Sequence, residues 1–366
     1  MNQLKNLLQQ TQLPVFPEGK YLQIITIREV QSHMVLRTDE TTNVTNTREA
    51  NGEIMTRISM VKRKQVAAER RTGRMLMRNL GLIAETNEDQ REGRLNCEYN
   101  IKPCKRCPDC VIYGSAIGDS LSIKSRVLTE DALSLQPYNG NTTSLTFNGA
   151  TEQGNMNRLM NIEADGSPVG KMNQALGSQE HVNPGVLFPT VTTLRDVTAE
   201  GAWYVFGNIM RTTRYGAGTT RGGGMRNHIV AVVLSDGEVI SNLELAQALT
   251  GPAQAGLEAV KEEAARIIEA QARTLPLRST VITGQALQDL LGEITASYQD
   301  EGQTREALNA LQVQITENIN RHVAHYASSD AKKSSGKGGN GGKGGKGAKK
   351  ADKEASEEPS GEAAAE

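Results

Sequence analysis

Four cysteines lie within one short segment of this 366-residue chain, and the chain has no others. They are Cys97, Cys104, Cys107 and Cys110, spaced C-x6-C-x2-C-x2-C in "CEYNIKPCKRCPDCVIYG". Four thiolates at such short gaps suit tetrahedral zinc, and an ion whose ligand positions are all filled by protein braces a fold without doing chemistry. The spacing therefore favours a structural zinc site.

Other interpretations of the cysteine segment stay open at this stage. Closely spaced cysteines near a proline also suit an iron–sulfur cluster, although this spacing differs from the usual ferredoxin run. His33 or His181 could replace one cysteine as a ligand, and the segment could also hold no metal. Lys102, Lys105 and Arg106 would offset part of the negative charge of a four-thiolate zinc centre.

A second candidate site is a helix with one cationic face, predicted over residues 57–80. Its apolar residues recur at helical spacing on one side and its basic residues form a stripe on the other. Glu69 is the single acid in the stretch, so the like charges are not compensated within the helix. A polyanionic partner would explain that imbalance. The residues expected to contact its phosphates are Arg63, Lys64, Arg70, Arg71, Arg74 and Arg78.

The third candidate is "RYGAGTTRGGGMRNHI" at residues 214–229. Backbone N–H groups without side chains can surround a phosphate, and nearby arginines add charge-assisted hydrogen bonds. The segment lacks the G-K-[ST] of a P-loop, which favours a nucleic-acid backbone over a nucleoside triphosphate. A hairpin tip between strands at 202–210 and 227–235 is the structural alternative. The expected phosphate-contacting residues are Arg211, Arg214, Gly216, Gly218, Arg221, Gly222, Gly223, Gly224 and Arg226.

The elements that would position these sites indicate an α+β fold. Strands are predicted at 21–30, 120–128, 202–210 and 227–235 from their β-branched and apolar content. Amphipathic helices dominate after Asp236 and are expected to cover one face of a sheet. The region 130–198 between the early and late strands has no strong periodicity, which indicates irregular structure or an insertion.

The end of the chain differs in composition from residue 328 onward. Its first half is rich in glycine and lysine, its second half is rich in glutamate, and it has no apolar periodicity. Such a segment gains too little from burial to offset the entropy of ordering, so we expect a disordered tail at 328–366 after a domain at 1–327. A solubilising role or a weak contact with nucleic acid would both suit it.

The sequence also bounds the location of the chain. No run approaches the roughly 20 apolar residues needed to cross a bilayer, and the N-terminus lacks a signal-peptide pattern. Cysteines confined to one segment do not make a secreted disulfide framework. The expectation is a cytoplasmic protein with no membrane partner.

Three features in combination carry a resemblance to a known family: a strand followed by the basic helix, the motif "CKRCPDCVIYG", and the arginine-flanked glycine segment. With them the chain resembles the RAMP-type backbone subunits of CRISPR effector complexes, above all that of type I-D Cascade, over about residues 15–325. The resemblance implies a ferredoxin-like (RRM-type) antiparallel core with large insertions and C-terminal helices. An insertion near 86–116 would bind zinc, and one near 130–198 would form the thumb or target-facing surface.

The resemblance also implies a function. Copies in that family polymerise along the guide RNA, so the implied partners are guide RNA, the target DNA strand, identical subunits and other Cascade subunits. By that likeness the 214–228 loop and the basic helix would face the RNA backbone. A subunit that holds any guide must contact phosphate and ribose and leave base edges free to pair with target. The expected role is therefore non-catalytic.

Two other functions remain as alternatives. The similar type III backbone subunits cut target RNA with an acidic residue in the loop after the first strand, and Asp39 and Glu40 occupy such a loop here. A carboxylate there could help place a metal for cleavage of RNA or single-stranded DNA. The other alternative is a stand-alone, zinc-braced RNA-binding protein outside CRISPR.

Overall fold

The computed structural model describes residues 2–38, 41–49, 51–84, 96–116, 122–147, 158–162, 168–172 and 177–335. The chain forms two compact units, Met1–Arg321 and His322–Glu366, and the sites described below lie in the first. Asp39 and Glu40, the residues of the cleavage alternative, lie outside the described residues, as does the tail beyond residue 335. In the described ranges, no helix combines the length and apolar character needed to cross a bilayer.

The described elements alternate between strands and helices in the first part of the chain and are mostly helical at its end. The strands are β1 (Tyr21–Val30), β2 (Val44–Arg48), β3 (Ile54–Met60), β4 (Val127–Thr129), β5 (Ala132–Pro137), β6 (Thr142–Phe147), β7 (Arg158–Ile162), β8 (Pro168–Met172), β9 (Gly177–Val182), β10 (Leu187–Arg195), β11 (Met225–Ser235) and β12 (Ser279–Ile282). The helices are α1 (Asn2–Leu8), α2 (Lys62–Asn79), α3 (Pro108–Ile112), α4 (Ala199–Arg211), α5 (Asn242–Leu249), α6 (Leu257–Thr274), α7 (Gly284–Gln299) and α8 (Glu301–Ser335).

The central sheet has five antiparallel strands in the order β12-β11-β1-β10-β4. In its middle, Tyr21 of β1 pairs with Arg195 of β10 on one side and with Ser235 of β11 on the other. Helix α2 lies between β1 and β4 in the chain, and α4 lies between β10 and β11. The molecule is therefore a mixed α+β protein with antiparallel sheets and C-terminal helices, as the sequence predicts.

Helices cover both faces of the central sheet, whereas the sequence pattern suggested one. Along β1, Leu22 and Ile24 pack with α4, α7 and α8, while Ile25 and Ile27 pack with α5 and α6. Alternate residues of a strand point to opposite faces, so a strand that is buried on both sides becomes a continuous apolar run. This arrangement explains the sequence "YLQIITIREV" of β1.

The segment 202–210 is part of helix α4, so its assignment as a strand is wrong. Thr198 caps the helix by accepting a hydrogen bond from the Gly201 N–H at 3.3 Å. Every residue from Ala199 to Ile209 is buried, and the aromatic and β-branched residues of "AWYVF" favour a strand by local propensity, which the tertiary packing overrides. The hairpin interpretation therefore fails too, because the glycine-rich segment joins a helix to a strand.

Several boundaries also differ from the sequence-based ones. The predicted helix at 57–80 begins at Lys62, and the residues before it belong to β3. A strand is predicted at 120–128, and among its described residues only the last two belong to a strand, the beginning of β4 (Val127–Thr129). The region 130–198 contains β5 to β10, and β10 belongs to the central sheet, so the inserted part ends before Leu187.

Candidate metal centre and nucleic-acid interface

The four cysteine sulfur atoms converge, and all lie within 4.8 Å of one another. Cys97 Sγ is 3.5 Å from Cys110 Sγ and 3.7 Å from Cys107 Sγ. Four sulfurs around zinc, with Zn–S bonds near 2.3 Å, form a tetrahedron with edges of about 3.8 Å. The four cysteines can therefore hold a metal ion. His33 and His181 are not part of this group and contact each other instead, with ring centroids 6.2 Å apart.

Backbone N–H groups stabilise charge on the sulfurs. Cys104 N donates to Cys97 Sγ at 3.3 Å, and the N–H groups of Arg106 and Cys107 donate to Cys104 Sγ at 3.4 and 3.2 Å. The pKa of the Cys97 thiol lies far below its ordinary value, because hydrogen bonds from the other three cysteine side chains, Cys104 foremost, stabilise its thiolate. Thiolate is the form that a metal ion requires.

A fully buried carboxylate connects this cluster to α2. Arg70 donates from Nε and Nη2 to the two oxygens of Asp109 at 2.9 and 2.8 Å. Arg74 Nη1 donates to Asp109 Oδ2 at 2.9 Å and to Cys97 Sγ at 3.3 Å, and its Nη2 binds the Cys97 carbonyl. Burial alone would lower the pKa of Arg74, but Asp109 and the Cys97 sulfur raise it above its ordinary value. The two arginines thus bring positive charge beside the thiolates.

This placement corrects the prediction that Arg70 and Arg74 belong to a stripe of phosphate-contacting residues. Their side chains are only 12% and 2% exposed, because they bind Asp109 in the interior. Arg78, in the last turn of α2, is half-buried. The missed signal was Asp109 itself, an acid within the cysteine motif facing two arginines spaced by one helical turn.

The glycine-rich segment packs against the residues that follow β1. Gly223 N donates to His33 O at 2.9 Å, and Gly224 N donates to Ser32 Oγ at 2.8 Å. A Cβ on Gly222 would lie 2.3 Å from His33 O, so the two backbones approach more closely than a side chain would permit. The prediction that Gly222, Gly223 and Gly224 surround a phosphate is therefore corrected, since their N–H groups are used within the protein.

Other members of the segment have varied positions. Arg214 Nη1 donates to the carbonyls of Thr219 and Gly222, both at 2.9 Å, and so closes the loop. Gly216 packs against the backbone of Val35. Gly218 lies at the exposed turn, Arg226 is exposed on β11, and Arg211 lies over the Tyr298 ring. For Gly216, Gly218, Arg211, Arg214 and Arg226, phosphate contact stays a prediction.

Five basic residues form what we call the cationic surface: Arg37, Arg63, Lys64, Arg71 and Arg221. Burial lowers the pKa of Lys64, and the charges of Arg63, Arg37 and Arg71 lower it further. The Gln179 amide lies between two of them. Its oxygen accepts from Arg37 Nε and Nη2 at 3.1 Å, and in that orientation its nitrogen faces Arg221, so the amide binds one arginine and does not bridge the two. Positive charge is therefore concentrated where the loop after β1, helix α2 and the glycine-rich segment meet.

Arg63 and Arg71 are exposed and have no ion-pair or hydrogen-bond partner among the described residues. Two turns separate Lys64 from Arg71, so these side chains share one face of α2 and leave the Asp109-binding arginines on another. The chemistry that such a surface supports is binding of a polyanion. Sequence reasoning missed Arg37, which stands in an ordinary polar loop.

A family comparison decides the affiliation of the chain. The model described as "Csc2 Crispr" matches residues 4–308. The chain belongs to the Csc2 CRISPR family. No curated protein matches the sequence significantly.

One solved structure of a Csc2 protein shares the fold of this chain. A crystal structure of Thermofilum pendens Csc2 superposes with a TM-score of 0.56 at 17% sequence identity, covering 85% of this chain and 91% of that chain. A chain of a CRISPR RNA-guided surveillance complex gives a TM-score of 0.41 at 10% identity, covering 72% of this chain and 89% of that chain. A chain of a type IV-B CRISPR complex gives 0.39 at 13% identity, covering 57% and 90%.

In this Csc2-family chain, one helix serves two sites. Arg70 and Arg74 of α2 bind the buried carboxylate beside the cysteines, while Arg63, Lys64 and Arg71 lie on the cationic surface. The metal-site and surface roles are therefore separable by substitution on the same helix.

Proposed function

We propose that this Csc2-family chain is a guide-RNA-binding backbone subunit of a type I-D CRISPR interference complex. Copies polymerise along the guide in the cytoplasm, in contact with one another and with other Cascade subunits, and present the guide to a target DNA strand. The subunit binds and orients the guide and carries out no reaction of its own.

The observation that carries the proposal is the concentration of positive charge on the cationic surface, in which Arg63 and Arg71 are exposed and have no acidic partner among the described residues. Repulsion among Lys64, Arg63, Arg37 and Arg71 is a cost in the free protein, as the lowered pKa of Lys64 reflects. Phosphates would relieve it and release counterions. The surface offers charges on an open face rather than a deep base-reading pocket, which suits a protein that must bind any guide sequence.

The fold and the cysteines fit the same proposal. The order β1-α2-β4-β10-α4-β11 and the adjacency β11-β1-β10-β4 support a ferredoxin-like (RRM-type) core. The all-sulfur donor set and the sulfur spacing support structural zinc, held by Cys97, Cys104, Cys107 and Cys110. We likewise propose insertions near 86–116 and from 130 to the start of β10. The tail expected from residue 328 would begin only after α8, which continues to Ser335.

Replacing both Arg63 and Arg71 by alanine should weaken RNA binding and reduce its salt dependence. Each phosphate contact to a single strand contributes about 0.7 to the slope of log K against log salt, so the double variant should lose about 1.4 from the slope. Fluorescence anisotropy of a labelled single-stranded RNA over a series of salt concentrations measures both quantities.

The matched control removes two arginines from α6, Arg266 and Arg273, which pair with glutamates on that helix. Helix α6 packs on the sheet face opposite α4, so this double variant should bind RNA as the wild type does. Equal losses in the two double variants, or no loss in either, would refute a role for the cationic surface.

Polymerisation predicts a stoichiometry that grows with RNA length. Analytical ultracentrifugation with RNAs of increasing length should show the number of bound chains rising in regular steps, because each copy holds a fixed length of guide. One chain per RNA at every length would instead favour a stand-alone RNA-binding protein.

A further inference from the structure

A cavity of about 240 Å³ opens between α2 and the cysteine-bearing segment. Ligand pockets for drug-sized molecules begin at roughly 300 Å³, so this cavity suits a smaller ligand such as a single ring system. The residues that the argument uses from its lining are Arg70, Tyr99, Asn100 and Ser115.

Two polar groups at this cavity are not used by the protein. Arg70 binds Asp109 and the Gly114 carbonyl through Nε and Nη2, and its Nη1 has no partner among the described residues. The Ser115 hydroxyl oxygen is buried and also has no hydrogen-bond partner in the described part of the chain. Buried polar groups in folded proteins are normally satisfied, so the Ser115 hydroxyl indicates a further hydrogen-bonding partner, and Arg70 Nη1 is a second donor available to the same partner.

The cavity also offers π-surfaces. The Arg70 guanidinium carbon lies 4.7 Å from the centroid of the Tyr99 ring and 5.7 Å from that of Tyr113, so the guanidinium already packs against these rings, and Tyr99 is a stacking surface that lines the cavity. Bases of single-stranded nucleic acids stack on aromatic rings and on guanidinium planes. A planar ring with acceptor atoms at its edge therefore matches both the hydrogen-bonding groups and the stacking groups.

The cavity and the cationic surface share α2. Arg71, an exposed member of the cationic surface, directly follows Arg70, which lines the cavity. On the other rim, exposed Lys102 lies two residues after Asn100 and has no side-chain partner among the described residues. A strand whose phosphates bind Arg71 therefore has positive charge along its path to the cavity.

We propose that this cavity holds one unstacked nucleobase of a single-stranded nucleic acid bound along the cationic surface. The base stacks on Tyr99, which the Arg70 guanidinium holds in place, and its acceptor atoms receive hydrogen bonds from Arg70 Nη1 and Ser115 Oγ. This assignment rests on the proposed RNA-binding function. The base comes either from the guide RNA or from the target DNA strand, and the test separates these sources.

The test uses the full, metal-loaded chain and two probes of the same sequence, an RNA containing 5-iodouridine and a single-stranded DNA containing 5-iodo-2′-deoxyuridine. Irradiation should cross-link the halogenated base to the peptide that contains Tyr99, as mass spectrometry locates it. Cross-linking by the RNA probe identifies the guide as the source, and cross-linking by the DNA probe to a chain already bound to guide RNA identifies the target. No cross-link at this peptide with either probe would overturn the assignment.

Substitution gives a second readout. Tyr99→Leu should raise the Kd for the RNA or DNA that cross-links by about fivefold or more, the lower end of what one base–aromatic stack supplies, whereas Tyr99→Phe should bind as the wild type. Metal content is measured for each variant, because Tyr99 lies between two cysteines. Tyr99→Leu with full metal and unchanged affinity would overturn the proposal. If the Arg63 and Arg71 variant also binds normally, it is the proposed function that fails, rather than the cavity alone.

Discussion

Asp109→Ala should destabilise the protein by about 3–5 kcal/mol and weaken metal binding about 10- to 100-fold. The carboxylate is fully buried and is the shared counter-charge of Arg70 and Arg74. Its removal leaves Arg74 as a buried cation with only Cys97 beside it, and an uncompensated buried charge costs far more than a lost surface pair. Metal binding weakens because Arg74, which Asp109 holds in place, also hydrogen-bonds the sulfur and the carbonyl of Cys97.

Urea denaturation of the metal-loaded protein measures the first effect, and titration with a competing chelator measures the second. Elemental analysis of the wild type should give one zinc per chain, and a brown sample with visible absorption would identify an iron–sulfur cluster instead. The matched control is Glu262→Ala, which removes an exposed carboxylate from α6. An Asp109→Ala variant as stable as that control would contradict the bridging role of this carboxylate.

The cysteine cluster was predictable because all its ligands lie close together in the chain. A motif of four cysteines within one segment must form a compact group once the segment turns back on itself, and the structure brings their sulfurs within 4.8 Å. Strands β1 and β11 are predictable for a similar reason. Each is a continuous run of apolar and β-branched residues, so the signal lies within the segment itself. Local patterns determined these features.

The errors share a cause in partners that are distant in the chain. Helix α4 is buried by packing against α2 and α7, and its run of aromatic and β-branched residues has the local propensity of a strand, so the helix depends on partners that the segment itself does not show. The glycines at 222–224 meet the backbone of His33, about 190 residues earlier, and nothing within the segment indicates that contact. Asp109 reaches only Arg70 and Arg74 among the basic residues of α2, and Arg63, on the same side of the helix two turns before Arg70, lies beyond its reach.

The glycine-rich segment therefore has a different role from the one its composition suggests. Its glycines permit a close approach to the residues after β1, and the segment places Arg221 Nη2 3.4 Å from the Gln179 amide. Charge and glycine content predict a polyanion site, and that site stays a prediction. The site would be made by side chains on the cationic surface, with the backbone as their support.

A buried ion pair lies between β1 and α2, beneath the cationic surface. Arg28 Nη2 on β1 donates to Glu69 Oε1 on α2 at 2.7 Å, and both side chains are at most 1% exposed. The Tyr215 hydroxyl, in the glycine-rich segment, donates to the same oxygen at 3.3 Å. Burial alone would lower the pKa of Arg28, but Tyr215 and Glu69 raise it above its ordinary value. Glu69 thus joins three elements that carry or adjoin the cationic surface.

Glu69→Ala should lower the free energy of unfolding by about 3–5 kcal/mol, because Arg28 then stays buried without a counter-charge. Arg28 already has one buried N–H group, at Nη1, without a partner among the described residues, so the remaining bonds cannot compensate. Urea denaturation measures the loss. A loss below about 1 kcal/mol, the range of exposed ion pairs, would show that Arg28 reaches water or another partner.

The control replaces both partners, as Arg28→Met with Glu69→Leu. Apolar side chains of similar size remove the buried charge together with its counter-charge, so the double variant should be more stable than Glu69→Ala alone. If the double variant were as unstable as the single one, packing around Glu69 rather than its charge would explain the loss.

The same double variant also tests whether Glu69 positions the glycine-rich segment. It keeps every residue of the cationic surface but loses the hydrogen bond between the Tyr215 hydroxyl and Glu69. Weaker RNA binding at an unchanged salt slope would then show that Glu69 holds the glycine-rich segment in place, because the number of phosphate contacts sets the slope.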